Sequence, residues 1–354
     1  MANQLCGLIP REAKNKQNTP DPSDKQANFV HRDPFEYMKI NDNKFLHEID
    51  GRTLCTKCNR SRKFFCYTCY LPIADLESKL PKINLPLQID VIKHQKEIDG
   101  KSTAIHAKIL APDNVNIYTY PDIPDYTTDN ETILIFPTHD SIHVDGLFDE
   151  HVRLQTADEL NMPKGINRGT LLKFKLNEVT EKEKHVSDEP RSFGCYTLDN
   201  LPIKRAVFID STWNQSRSIF KDPRINQLRP VVLQNRLSQF WRHQKGSPRW
   251  FLATIEAIHQ FLLEVHINAW GLDRSYRGLG PLEIEMNDFI RDDMLVDGTV
   301  NEQNSLGNSN ETSNLLAPYN GQYDNLFFFF TYMYHLIHSY YDHNILLSYR
   351  RPIL

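Results

Sequence analysis

The chain reads as an α/β protein on a mainly parallel sheet, with a small cysteine-rich module ahead of it. Three observations predict this. Short β-branched runs precede long helical patterns, runs such as AVFID are apolar almost throughout, and four cysteines fall into two CxxC pairs. Strands buried on both faces lose the apolar/polar alternation, and strands mixed with helices favour parallel pairing. At about 150 residues per domain, 354 residues make one large or two modest domains.

Taken in order, residues 1–47 are polar and rich in Lys, Asp and Asn, and are expected to form a disordered arm. The cysteine module occupies 48–75 and the main domain 76–342. Polar insertions interrupt that domain at about 155–199 and 271–318, and 343–354 is a tail. From Leu85 to about Pro137, LPLQIDVIKH, IHAKILAP, VNIYTYP and TILIFP all read as strand-like runs. AVFID and RPVVL are further strands, and STWNQSRSIF passes from loop into helix. Trp250 to Val265 carries the strongest helical period: Phe251, Thr254, Ile255, Ile258, Phe261, Leu262 and Val265 recur at three- and four-residue steps. An aromatic helix from about Tyr323 to Tyr341, apolar nearly all round, should pack on both sides.

Composition excludes two classes. Nineteen Phe, 15 Tyr and 4 Trp are too many for a chain disordered throughout. The apolar run Asn325–Tyr341 contains His335 and His338, so no membrane span is expected. The first residues lack a signal peptide's apolar stretch, so the protein is expected inside the cell.

Cys55-Thr-Lys-Cys58 and Cys66-Tyr-Thr-Cys69 suit a closed tetrahedral Zn²⁺ site, each CxxC supplying two thiolates from one turn. Disulfides fit an intracellular chain poorly, and redox CxxC pairs usually occur singly. A closed site leaves no open coordination position, so the ion's role is expected to be structural. Arg60, Arg62 and Lys63 lie on the intervening loop, where they could meet phosphates. Between Lys204 and Arg249 ten basic residues face two acids, a net +8 that leaves −12 for the rest of a chain whose total is −4. Such a run either meets a polyanion or is a solvated face neutralised in space. Arg217, Lys221 and Lys245 are its candidate RNA contacts.

Asp210-Ser-Thr212-Trp213, directly after the strand AVFI, is a DxTW motif, and Thr254-Ile-Glu256-Ala257 opens the long helical pattern. With the paired CxxC knuckles upstream, the chain resembles the DTW-domain family of tRNA-uridine aminocarboxypropyltransferases from about Gly51 to Asp342. IDVIKH and DGKSTAIHAKILAP resemble the animal domain-containing-protein-1 branch. The resemblance implies a SPOUT-like fold with a knotted C-terminal half, and S-adenosylmethionine as co-substrate. It further implies transfer of the 3-amino-3-carboxypropyl group to N3 of a tRNA uridine in the D-loop, forming acp3U, and residence in the nucleus.

In that light Asp210 and Glu256 are the candidate catalytic residues. Asp210 would deprotonate or orient the uridine, or instead cap the following helix. Glu256 would hold the donor's ammonium group, or merely favour a helix dipole. Thr212, Trp213 and Thr254 are candidate donor contacts, with capping for Thr212 and core packing for Trp213 as alternatives. Arg242 would pair the donor carboxylate or a phosphate. The turn Phe136-Pro137 could offer backbone groups to the adenine. Two rival functions remain at this stage: a zinc-ribbon RNA adaptor with an inactive pocket, and a conventional RNA methyltransferase on the same fold.

Overall fold

Two short hairpins, β1 (Thr53–Leu54) with β2 (Ser61–Arg62) and β3 (Phe65–Cys66) with β4 (Leu71–Pro72), carry the cysteine knuckles. The chain then enters a sheet of six strands: β5 (Gln88–His94), β6 (Val115–Tyr120), β7 (Thr132–Ile135), β8 (Ile142–His143), β9 (Arg205–Asp210) and β10 (Arg229–Val232). Their spatial order is β6-β5-β9-β7-β10-β8, and every pairing is parallel. This computed structural model describes residues 33–148, 196–244, 246–279, 290, 294–296 and 316–351. Residues 1–32, most of both polar insertions, Lys245 and the last three residues lie outside them.

The sheet is covered on both faces, which explains its apolar strands. Side chains alternate by the period of two. Ile89, Val91, Ile133, Ala206 and Phe208 enter the larger core, while Ile92, Leu134 and Val207 point into a smaller one. The larger core lies under α1 (Ala104–Leu110), α4 (Thr254–Trp270) and α5 (Phe328–Tyr340); the smaller takes Ile219 of α2 (Trp213–Phe220) and Ile225 of α3 (Pro223–Asn226). Helix α4 is buried at nearly every position. It ends where Gly271 adopts φ +83, and a Cβ there would come within 2.7 Å of Val296.

Four expectations change. IHAKILAP is helix α1, not a strand: Ile105 and Ile109 stack one turn apart, Ala104 and Ala107 favour the helix, and the Ser102 hydroxyl accepts the Ala104 N–H at 3.2 Å. Helix α4 starts at Thr254 rather than Trp250, because the Glu256 carboxylate takes the Ala253 N–H at 2.8 Å and fixes the cap there. Residues 33–47 are ordered, since the Phe35 ring packs on Phe327, Phe330 and Tyr334 and Leu46 is fully buried. The tail is also held: the Tyr349 hydroxyl donates to the Gln239 carbonyl at 2.9 Å, and Arg351 is buried.

The start of the second insertion likewise joins the core. β11 (Leu272–Asp273) pairs with β12 (Leu295–Val296), and the Tyr276 hydroxyl donates to buried Asp324 at 2.7 Å. Asp324 also accepts from the Tyr319 hydroxyl and the Lys39 amide, and His259 lies 3.3 Å away. These donors hold its carboxyl below the usual range against the opposing effect of burial.

Candidate active site and metal centre

Because all six strands are parallel, their C-terminal ends share one edge, the place where α/β sheets gather ligands. Asp210 ends β9 there. Its carboxylate accepts two hydroxyl hydrogen bonds, from Ser102 at 2.5 Å and from Thr254 at 2.5 Å. Ser102 stands just before α1 and Thr254 opens α4, so this carboxylate ties two helix starts to the sheet edge. The N-cap reading of Asp210 is therefore corrected. Thr212 takes the capping position of α2, with its N–H bonded to the Gln215 side chain at 3.0 Å. Trp213 is the first residue of that helix.

The surroundings of Asp210 are charged. Lys93 lies opposite it in the β5–β9 register and forms an ion pair with Asp99. Half-buried Glu97 has its carboxyl raised, first by burial and then by the negative charge of Asp210. Burial likewise raises the Tyr70 phenol, which also feels Lys93, Asp99 and Asp210. Two carboxylates, Asp210 and Glu97, thus lie near one another at this edge. Sequence reasoning passed over Ser102, Thr103, Lys93 and Glu97. Thr103 accepts the Ile255 amide at 3.2 Å and helps seat α4. The one available signal is the family resemblance of IDVIKH, which carries Lys93, and of DGKSTAIHAKILAP, which carries Ser102 and Thr103.

Glu256 is fully buried, and both of its oxygens are occupied: one by the Gln239 amide at 2.7 Å, the other by the Ser238 hydroxyl at 2.7 Å and the Ala253 amide. In this structure it pins the 238–240 loop onto α4. Arg242 donates to the carbonyls of Lys101 and Gly100, at 3.2 and 3.4 Å, with its guanidinium over the Phe240 ring. The Phe136 ring stacks on Phe220, its amide donates to Val231 and its carbonyl accepts from Ser141. Both backbone groups expected to face an adenine therefore already have partners. Exposed Pro137 has no N–H to offer.

The metal centre is compact. Cys55, Cys58, Cys66 and Cys69 place their sulfurs within 4.8 Å of one another. A tetrahedron with Zn–S bonds of about 2.3 Å needs sulfurs roughly 3.8 Å apart. The residue after each knuckle is left-handed, Asn59 at φ 54 and Tyr70 at φ 58. The reversal turns backbone amides toward the sulfurs, and the Cys69 N–H lies 3.4 Å from the Cys66 sulfur. Although burial opposes it, amides of Thr68 and Cys69 bring the Cys66 thiol down to about 6. Burial and the neighbouring sulfurs push Cys69 up to about 12, so four thiolates here require a cation among them. The donor set could hold a metal ion.

Of the six expected RNA contacts Arg62 is committed elsewhere, as is part of the surrounding basic run. Arg62 is buried, stacked 3.8 Å over Tyr67 and bonded to the Ser61 carbonyl and the Thr68 hydroxyl, because the knuckle closes over it. In the basic run, Arg205 pairs with Asp90, Arg224 with Asp222, and Arg236 is buried over the Phe327 ring. Much of the +8 is thus internal. Arg60, Arg217 and Lys221 are exposed, and Lys63 is half-buried above Phe64.

A parallel α/β domain carrying a polar cluster at its carboxyl edge and a cysteine metal module defines the class of protein. The DTW domain matches residues 63–338, and the chain belongs to the DTW-domain family. Its relatives include "tRNA-uridine aminocarboxypropyltransferase 1" from Rattus norvegicus, 36% identical over 342 residues and covering 93% of each chain. The protein of that name from Homo sapiens is 37% identical over 335 residues, covering 93% of this chain and 92% of its own. The Xenopus tropicalis one is 35% identical over 306 residues, covering 85% of each chain. No solved structure matches.

Proposed function

We propose that this chain transfers the 3-amino-3-carboxypropyl group of S-adenosylmethionine to N3 of a tRNA uridine, in the D-loop, forming acp3U. Relatives bearing that activity in their name align along nearly its whole length. The observation that carries the proposal is the placement of Asp210, the DxTW aspartate, at the carboxyl edge with two hydroxyls locking its orientation. In the reaction the N3–Cγ bond forms, the Cγ–S bond breaks, methylthioadenosine leaves and the N3 proton must be accepted. Asp210 orients the uridine or takes that proton, and Glu97, its carboxyl raised by burial and by the charge of Asp210, is the neighbouring acceptor. Thr212, Trp213 and Arg242 surround the donor in this reading. Presenting Cγ rather than the methyl carbon is a matter of positioning, which can supply several kcal/mol.

The cysteine site holds one structural Zn²⁺, which joins hairpins too short to be stable alone. The long 233–253 segment is pinned at Gln234 by Glu264 and at Gln239 by Glu256 before the chain enters α4. A SPOUT-like, knotted C-terminal half is part of the same family reading. Modification of precursor tRNA places the protein in the nucleus, which imaging of a tagged chain tests. Base analysis after incubation of tRNA with donor labelled in the methyl or the carboxypropyl group tests the chemistry. Carboxypropyl label on uridine is expected. Methyl label would make the protein a methyltransferase, and no label would make it an adaptor.

A further inference from the structure

A cavity of about 90 Å³ opens where the metal module meets the core. Phe65 and Tyr67 of the module, Ser102 and His106 around α1, Trp241 and Phe329 form its walls. Its lining is cationic: Arg52, Lys63, Lys101 and Arg242, with Arg62 buried behind them, stand against one acid, Asp99, which is already paired with Lys93. Pockets for larger ligands start at about 300 Å³, so this cavity does not enclose the sulfonium donor. It suits one planar ring, with the attached sugar and phosphates outside on the rim.

Two polar atoms buried behind this wall lack partners. His106 is wedged between Phe65 and Phe329, each ring 5.7 Å from it, and its Nδ1 has no hydrogen-bond partner. Arg62 Nε also has none. Native chains seldom leave such atoms unmatched unless something else meets them. Burial drops His106 to about 3, so the imidazole is neutral and offers one donor and one acceptor. The wall is rich in donors and its one acid is engaged. That favours a ring with carbonyl oxygens over cytosine, whose amino group needs an acceptor. Ser102, which lines the cavity, donates to Asp210.

We propose that this cavity receives an unstacked uracil base of the tRNA, stacked against its aromatic walls, with the flanking phosphates on Arg52, Lys63 and Lys101. Aromatic walls take an unstacked base by stacking. The proposal rests on the transferase reading and deepens it: the metal module becomes one wall of the base site.

The test is calorimetric titration of the full chain with uridine, cytidine and adenosine 5′-monophosphates, alongside tRNA modification kinetics. Uridine monophosphate should saturate and bind at least tenfold more tightly than the other two. His106→Leu removes an unsatisfied polar atom at similar volume, so it should melt no lower than the wild type. By taking one ring out of the stacking wall it should nevertheless weaken uridine monophosphate tenfold or more, raise the KM for tRNA and leave donor affinity unchanged. Met333→Trp, which fills the cavity from α5, should do the same and serves if the leucine variant folds poorly. No binding of uridine monophosphate, equal binding of adenosine monophosphate, or unchanged affinity and KM in both variants overturns the proposal. If the wild type itself transfers nothing to tRNA, the transferase reading has failed. If it transfers normally while the variants are unaffected, only the base site has.

Discussion

Replacing Asp210 by asparagine or alanine separates chemistry from architecture. The carboxylate accepts from Ser102 and Thr254, one hydroxyl on each oxygen. Alanine leaves both hydroxyls without an acceptor in half-buried positions. At about 1–1.5 kcal/mol each, that costs roughly 2–3 kcal/mol of stability. Asparagine keeps one acceptor oxygen and turns its amide to the other hydroxyl, which rotates to accept. Its loss is the charge-assisted part, about 1 kcal/mol. Transfer responds differently. If Asp210 takes or steers the N3 proton, the asparagine enzyme falls by about two to four orders of magnitude, or about 2.7–5.4 kcal/mol of barrier. Chemical unfolding and single-turnover transfer at saturating tRNA read the two effects independently. An asparagine variant that loses about 1 kcal/mol of stability and transfers within about fivefold of wild type would make Asp210 a latch. The base would then be sought at Glu97.

Three further outcomes are expected. Purified protein should carry one zinc per chain, and Cys58→Ser should lose it together with tRNA affinity; full activity without metal would refute the structural role. Arg217→Ala with Lys221→Ala should reduce the salt-dependence slope of tRNA binding by about 1.5, at about 0.7–0.9 per phosphate contact, and an unaltered slope moves those contacts elsewhere. Burial raises the Glu264 carboxyl to about 8, so the folded chain keeps a proton that the unfolded chain has already released. Stability should therefore fall as pH rises between about 4.5 and 8, by up to about 1.4 kcal/mol per pH unit. Glu264→Gln should flatten that dependence in urea titrations, and an unchanged slope would refute the assignment.

How much could be read in advance follows from the range over which each signal acts. QIDVIKH, TILI and RAVFID are legible as strands because their buried stretches are nearly continuously apolar. VNIYTY and RPVV are legible because they are short, β-branched and bounded by turn residues. AIHAKIL is not, since seven mostly apolar residues satisfy a strand and a buried helix equally. Phe35 and Leu46 are lone anchors in a polar segment, and their partners in α5 are nearly 300 positions away. Asp210 stands out as the end of a strand. Its partner Ser102 is 108 residues distant and one of many serines. Charge was the most misleading signal, because Arg205, Arg224 and Arg236 are spent on internal contacts that no local pattern announces.

The two knuckle turns show how the metal module bears on the sheet edge. Both require a left-handed residue after the second cysteine, a conformation that costs an ordinary residue about 1–2 kcal/mol. Asn59 meets the requirement cheaply, because asparagine tolerates that region, and it stays exposed. Tyr70 meets it at full cost. Its ring is half-buried, and Lys93, Asp99 and Asp210 all bear on its hydroxyl. Phe65 makes a second bridge by packing on His106 and Phe329, and Phe64 a third by packing on Tyr332. A cation held by the four sulfurs would therefore also fix where Tyr70 and Phe65 reach the core. A change at the sulfurs would thereby reach one side of the Asp210 cluster without touching any residue of the sheet.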